Sequence, residues 1–481
     1  MAISNKLFIN VAGFMLAALI PFNAIDAQGL QTRLIQGKVM SNGTGIADVS
    51  VTDGTNVVKT AADGSYSILT LAETRFVYIT VPSGYDVAVK DNTIPQFYKE
   101  LSGTDNFDFN LTKSDIDVKK HVFFVHTDAQ VTCVEDVEQY KAVVADNKEL
   151  AQSYAGTKMF GIDCGDMVGD SPWLFPNYID AVKPLDWPIY RAIGNHDMTY
   201  SGRTFETSYR TFENYFGPNH FSYDCGDVHY IFIDDNFYTG YGINYIGYVP
   251  ENTFKWLEND LAYVSKDKLL VVFMHIPSAL VSDIEKTKFD PDLMTNVRQF
   301  HAMFEGYDTH LISGHTHFNL NMEYSDRLME HNTAAACGTW WKTEECMDGA
   351  PRGYAVYEVD GTKLKWYYKS SGYPRDYQMR TYAPGQAEEF PEDVVANVWN
   401  YDSHWKVELL ENGKKTADMV KFTGYDPISK AHCSDRSVVV YEWIWPITNE
   451  HMFHATPKFK DSRRQVRVTD RFGNVYISDV K

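Results

Sequence analysis

Between residues 119 and 370, five apolar runs each stop at polar side chains of a restricted kind. "FFVHTDAQ" ends at Asp128 and Gln130, "FGIDCGD" at Asp166, and "YRAIGNHD" at Asn195, His196 and Asp197. "LVVFMH" ends at His275, and "LISGHTH" at His315 and His317. Strands that are apolar throughout need cover on both faces, because a strand with one wet face alternates instead. Helical segments lie between the runs: Val134, Val137, Tyr140 and Val144 recur at helical spacing. "PENTFKWLENDLAYV" repeats that spacing, with Asn252 as the expected cap. The chain is therefore read as an α/β domain, in which ligands gather at the carboxyl ends of the strands. His315 and His317 stand one residue apart on extended backbone, so both side chains point the same way. Five junctions of this kind can meet at one place.

Carboxylates, imidazoles and an amide oxygen, with no thiolate cluster, suit divalent ions such as Mn, Fe or Zn. In hydrolytic two-ion sites one carboxylate bridges the pair, which generates hydroxide at neutral pH and neutralises charge on phosphoryl oxygens. Such chemistry also needs a proton donor for the leaving oxygen, and His196 is the spare imidazole. Taken singly, His275 reads as a core histidine and "GNH" as a capped turn. As an ordered set, the five junctions read as a metal centre. Asp170 and Asp197 are expected to support or cap loops rather than to ligate.

The flanks differ in texture. Residues 1–27 read as a secretory signal peptide, with Lys6, an apolar Leu7–Ile20 and a cleavage region at Ala24–Ala27. A retained anchor is the other reading. Cleavage would leave no membrane span and a periplasmic or secreted chain. Residues 28–115 alternate in short runs broken by Asp53-Gly54 and Asp63-Gly64, which predicts a β-sandwich. Residues 116–372 form the α/β unit. Residues 373–481 return to strands after a linker around "YAPGQAEEFPEDV", and "SVVVYEWIWPI" is expected to be one of them. There Trp443 and Trp445 would face one side, for packing or as a platform for sugars. Trp340, Trp341 and Arg352 have two readings, contact with a substrate or packing against the C-terminal domain. A net charge of −20 argues against a nucleic-acid partner. Six cysteines without C-x-x-C spacing exclude zinc fingers, and Cys164 reads as a buried strand residue.

The ordered motifs resemble the calcineurin-like metallophosphoesterase superfamily, whose pattern runs D-x-H, GD, GNH[DE], a lone His and GHxH. The matching residues are Asp128, Gly165-Asp166, "GNHD" at 194–197, His275, and "GHTH" at 314–317. The flanks resemble an exported bacterial branch with an N-terminal immunoglobulin-like and a C-terminal β domain. The resemblance implies a central four-layer αββα domain between two smaller all-β domains. It implies two divalent ions bridged by Asp166, with Asp128, Gln130 and His317 completing one site and Asn195, His275 and His315 the other. His196 would act as general acid or bind phosphoryl oxygens, and a metal-bound hydroxide would attack phosphorus in line. One position departs: Gln130 stands where the superfamily has histidine. A neutral amide oxygen is a weaker ligand and is expected to tilt preference towards Mn or Fe. The expected partner is a small phosphate ester, monoester or diester, with envelope or glycan contact through the β domains. The alternative is a non-catalytic envelope- or glycan-binding protein on the same scaffold.

Overall fold

The computed structural model describes residues 31–286 and 288–480, with the backbone of 23–25. The expected signal peptide otherwise lies outside the described residues. Among those described, no helix is long and apolar enough to cross a membrane.

Residues 31–113 form two facing sheets, one built on the long strand Gln31–Ser41 and the other centred on Phe76–Ile79 and Ser50–Thr52. Strand Ser65–Leu71 shows why: Tyr66, Ile68 and Thr70 are buried while Ser67, Leu69 and Leu71 are exposed, the period of a half-buried strand. At Asp53-Gly54 the Asp53 carboxylate accepts from the backbone N–H of Thr55 (3.0 Å) and Asn56 (2.7 Å), which closes the turn. This sandwich shares its core with the central domain. Phe97 packs against Phe221 at 4.5 Å and Tyr190 at 6.3 Å between ring centroids, and Ile189 N–H donates to Thr93 at 2.8 Å. Burying each such ring stabilises by roughly 1.5–3 kcal/mol, so the first domain cannot be detached without opening the second.

The central strands are β1 (Lys120–His126), β2 (Lys158–Asp163), β3 (Ile189–Arg191), β4 (Phe221–Cys225), β5 (Val228–Phe232) and β6 (Leu269–Phe273). They continue as β7 (Asp308–Ser313), β8 (Leu320–Ser325), β9 (Leu328–Asn332), β10 (Gly353–Asp360) and β11 (Lys363–Ser370). One sheet runs β3-β2-β1-β10-β11 and the other β4-β5-β6-β7-β9-β8, with parallel pairing at the centre of each. The inner faces meet through Phe123, Phe160, Tyr230 and Phe273, and Phe123 stacks on Tyr357 at 4.7 Å. On the outer faces, Val122 and Phe124 pack under helices α1 (Val134–Ala151) and α2 (Phe175–Val182). Leu270 and Val272 pack under α3 (Glu251–Leu261) and α4 (Val297–Ala302). Successive residues of β1 thus enter different cores, which is why the run carries no polar side. This is the expected four-layer αββα arrangement. One detail differs: Pro250, not Asn252, stands at the N-cap of α3, and Asn252 lies inside its first turn. Proline suits a helix entry because its missing N–H would have no partner there.

The last domain packs two four-stranded sheets around Val407, Leu409, Val466, Val468 and Phe453, and adds one helix, α5 (Pro427–Ser434). Asp426 caps α5 by accepting from Ile428 and Ser429 N–H. Two expectations are corrected here. The stretch 382–394 is no linker, since it joins the paired strands Arg380–Tyr382 and Val394–Asn397 of one sheet. Residues 438–447 form no strand. The Arg436 guanidinium fills their turn, donating to the carbonyls of Tyr441 (2.9 Å) and Ile444, and backbone used in this way cannot join a ladder. Trp443 and Trp445 therefore do not share a strand face, and they are 67% and 59% exposed.

Candidate metal centre

The carboxyl ends of β1, β2, β3, β6 and β7 bring the seven candidate ligands to one seam between the sheets. The backbone turns sharply as each strand ends. Asp128, Gln130, Asp166, His315 and His317 all have positive φ, between 38° and 70°. Non-glycine residues avoid this region, so its use at five candidate ligands marks loops shaped for something other than packing. The neighbouring glycines let these loops touch. A Cβ on Gly194 would run into the backbone nitrogen and Oδ1 of Asp166, and one on Gly314 into the Thr127 hydroxyl.

The donor atoms converge most tightly around His275. Its Nδ1 lies 2.8 Å from the Cys164 carbonyl, which turns Nε2 towards the seam. Nε2 then lies 3.1 Å from Asn195 Oδ1, 3.2 Å from Asp166 Oδ2 and 3.3 Å from His315 Nδ1. Ligand atoms of Asp166, His275 and His315 all fall within 4.8 Å of one another. On the other side, His317 Nε2 is 3.3 Å from Asp128 Oδ1, and Gln130 Nε2 donates to Asp166 Oδ2 at 3.0 Å. Asp166 Oδ2 is thus shared by both groups, while its Oδ1 accepts from His196 N–H at 2.8 Å.

A fit test for metal is available in the unmet polar atoms. Gln130 Oε1 is buried with no hydrogen-bond partner, and buried Asp128 Oδ1 has only the His317 ring beside it, at 3.3 Å. Leaving such an oxygen unpaired costs about 1–3 kcal/mol, and a divalent ion satisfies both. The charge balance agrees. Burial works against ionisation of Asp166, yet His275 and His196 outweigh it and hold the carboxyl below its usual range. Burial likewise opposes charge on His275, but Asp166 and Asp128 raise it to about 10. Two buried carboxylates here demand cations, and a proton on His275 stands where an ion would.

His196 is placed apart from the ligands. Its Nδ1 is 2.9 Å from Asp170 Oδ1, its Nε2 is 4.0 Å from Asp166 Oδ2, and its side chain is 31% exposed. It faces both the seam and solvent. Asp197 is buried and accepts from Gly194 N–H (2.9 Å) and Val168 N–H (3.1 Å), which shapes the loop rather than reaching the seam.

Several contributors were not visible in the sequence. Asp292, in an exposed loop, lies 3.4 Å from His315 Nε2 and accepts from the Tyr245 hydroxyl at 3.0 Å. Asp235 accepts from the backbone N–H of His275 and Ile276. Cys164 matters through its carbonyl, and its sulfur is buried. Trp340 stacks on the His317 ring, with centroids 4.1 Å apart and planes 20° off parallel, and Trp341 is buried. Arg352 lies over Trp341 at 5.3 Å and donates to the Thr343 carbonyl at 3.2 Å. No pattern in the one-dimensional order points to Asp292 or Asp235.

Three family models match the sequence. Calcineurin-like phosphoesterase matches residues 125–319, the N terminal of calcineurin-like phosphoesterase residues 33–114, and the C terminal of calcineurin-like phosphoesterase residues 330–476. No curated protein matches. Among solved structures, a dimetal phosphatase from Danio rerio is similar over 52% of this chain and 96% of its own, at 11% identity and a TM-score of 0.38. A purple acid phosphatase from yellow lupin seeds is similar over 71% of this chain and 72% of its own, at 13% identity and a TM-score of 0.38. A 5'-nucleotidase from Candida albicans is similar over 53% and 51%, at 14% identity and a TM-score of 0.33.

Proposed function

Because the chain belongs to the calcineurin-like phosphoesterase family, a family of metal-dependent hydrolases of phosphoric esters, we propose that it is an exported enzyme cleaving a small phosphate ester at a two-ion centre. The observation that carries this reading is Asp166 Oδ2, within hydrogen-bond reach of His275 and of Gln130 at once. Asp166 would be common to two ions, of which Asp128, Gln130 and His317 would hold one and Asn195, His275 and His315 the other. When bound, the ions supply Lewis acidity and an ionised nucleophile at neutral pH.

The remaining work falls to the chain itself. Cys164 and Asp235 fix the direction of His275 from behind. Asp170 holds the His196 ring so that Nε2 faces the seam, where it delivers a proton to the leaving oxygen or binds a phosphoryl oxygen. Burial of Asp128, Asp166 and His275 keeps bulk water away from the ligands and strengthens each charge interaction. Mn or Fe is the proposed metal, since Gln130 contributes an amide oxygen.

The test is hydrolysis of an aryl phosphomonoester and an aryl phosphodiester by Mn-loaded protein, with metal content measured on the same samples. Two ions per chain and turnover lost in His315→Ala are expected. Full turnover in metal-free protein would overturn the reading. Export is tested by N-terminal sequencing of the protein from its native cells. A start near residue 28 is expected, and an intact Met1 would overturn it.

A further inference from the structure

The first ligand group sits on a loop that cannot hold itself. Asp128 and Gln130 both have left-handed backbone, with φ of 51° and 38°. The loop is short, and Thr127, Asp128 and Ala129 are buried. Its three successive carbonyls need partners, because a buried carbonyl without one is costly. All three are met from a single distant segment. Ala336 N–H donates to Thr127 O at 2.9 Å, Cys337 N–H to Asp128 O at 3.1 Å, and Trp341 Nε1–H to Ala129 O at 2.9 Å. The third bond is made by a side chain, so it can be removed without breaking the backbone.

The same segment controls the other ligand of this group. Trp340 lies flat on His317, the imidazole that faces Asp128. Both tryptophans have positive φ, 48° and 61°. Strain at two adjacent bulky residues persists only where surroundings over-determine it. For Trp340 those surroundings belong to the C-terminal domain, where it packs against Cys433, Val439 and Ile444, whereas Trp341 is buried in the central core with its ring 6.3 Å from that of Tyr140. Glu345 ties the two regions, its carbonyl accepting from Thr339 N–H at 3.0 Å and its carboxylate lying 2.5 Å from His432 Nδ1 on α5. Ser429 of α5 donates to Met347 O at 2.7 Å.

We propose that Trp341 and Trp340 are positioning residues for an ion that Asp128, Gln130 and His317 would hold, and that Trp340 carries the C-terminal domain's grip to that half of the centre. Neither touches the ion. Trp341 fixes the loop that presents Asp128 and Gln130, and Trp340 fixes the plane of His317. Groups that orient metal ligands typically account for about 10–100-fold in affinity. The other half, built from Asn195, His275 and His315, has no bond to this segment. The proposal rests on the ligand assignment given above.

The experiment is titration of full-length apoprotein with Mn(II), following ions bound per chain and the affinity of each step, with thermal unfolding alongside. Trp341→Phe keeps the ring and deletes the donor. It is expected to weaken one ion by roughly 10–100-fold and leave the other unchanged, with the melting transition retained. Combined with His317→Ala, Trp341→Phe is expected to add nothing. Combined with His315→Ala, it is expected to weaken the ion that remains. Unchanged affinities in folded Trp341→Phe, or equal weakening of both ions, would overturn the proposal. Should Trp341→Phe fail to fold, Trp340→Leu at a half-buried position carries the same expectation for one ion, and two unchanged affinities there overturn it equally. Fewer than two ions on the unmodified chain would overturn the ligand assignment, and the proposal with it.

Discussion

The two halves of the metal centre are built on different terms. Around His275 the donors already meet: three candidate ligands crowd its Nε2 within 3.3 Å, all presented by the ends of buried strands. Around Asp128 the Gln130 amide oxygen is unpaired, and the loop's carbonyls are held by residues more than 200 positions later in the chain. The first arrangement comes from the sheets themselves. The second depends on a neighbour. One centre can thus combine an ion site fixed by the fold with one fixed by assembly.

Four experiments break or sharpen this contrast. The largest effect is expected from Asp166→Asn, which removes the oxygen common to both halves. Hydrolysis should fall by more than ~100-fold, beyond the range for residues that only orient ligands, and bound metal should fall with it. Wild-type turnover in that variant would dissolve the two-ion picture altogether. His196→Ala comes next, with a drop of about 10²–10⁴-fold in turnover, the usual share of a proton donor. Both ions should remain, and loss of one would make His196 a ligand and redraw the halves. Timed dialysis against a chelator should then separate the halves directly. A plateau at one ion per chain is expected, from affinities roughly tenfold apart; simultaneous loss would show that the halves hold equally. The smallest effect belongs to Gln130→His. An imidazole there should narrow the gap between the two steps and favour zinc over manganese. Identical metal content and activity would mean that Gln130 does not ligate.

Much of the fold was legible because burial on both sides leaves a strong signature. β1 and β6 are apolar on both faces through most of their length, and Asp, Asn or His follows the end of β1, β2, β3, β6 and β7. The convergence of the candidate ligands was legible for the same reason, since they interrupt apolar runs. What failed was local pattern without its tertiary partner. "SVVVYEWIWP" has the β-branched and aromatic content of a strand, but Arg436 captures its Tyr441 and Ile444 carbonyls and the chain coils instead. "YAPGQAEEFPEDV" has the composition of a linker, and turns out to be a long connection within one sheet. Asn252 has the chemistry of a cap, but Pro250 begins the helix two residues earlier. Trp341 shows the limit most clearly. Its role is one hydrogen bond to Ala129, and nothing near it in the sequence announces that partner.

The late position of the residues that hold the Thr127–Ala129 loop has a consequence for how the protein matures. Chains emerge from the ribosome N-terminus first, and domains form as they emerge. Asn195, His275 and His315 are all present once residue 315 has been made, whereas the clasp on Asp128 and Gln130 waits for residue 341 and its packing for α5. A chain that stops before residue 341 lacks the side-chain clasp on that loop and the α5 packing behind it, so the Asp128 half of the seam is complete only in the finished polypeptide.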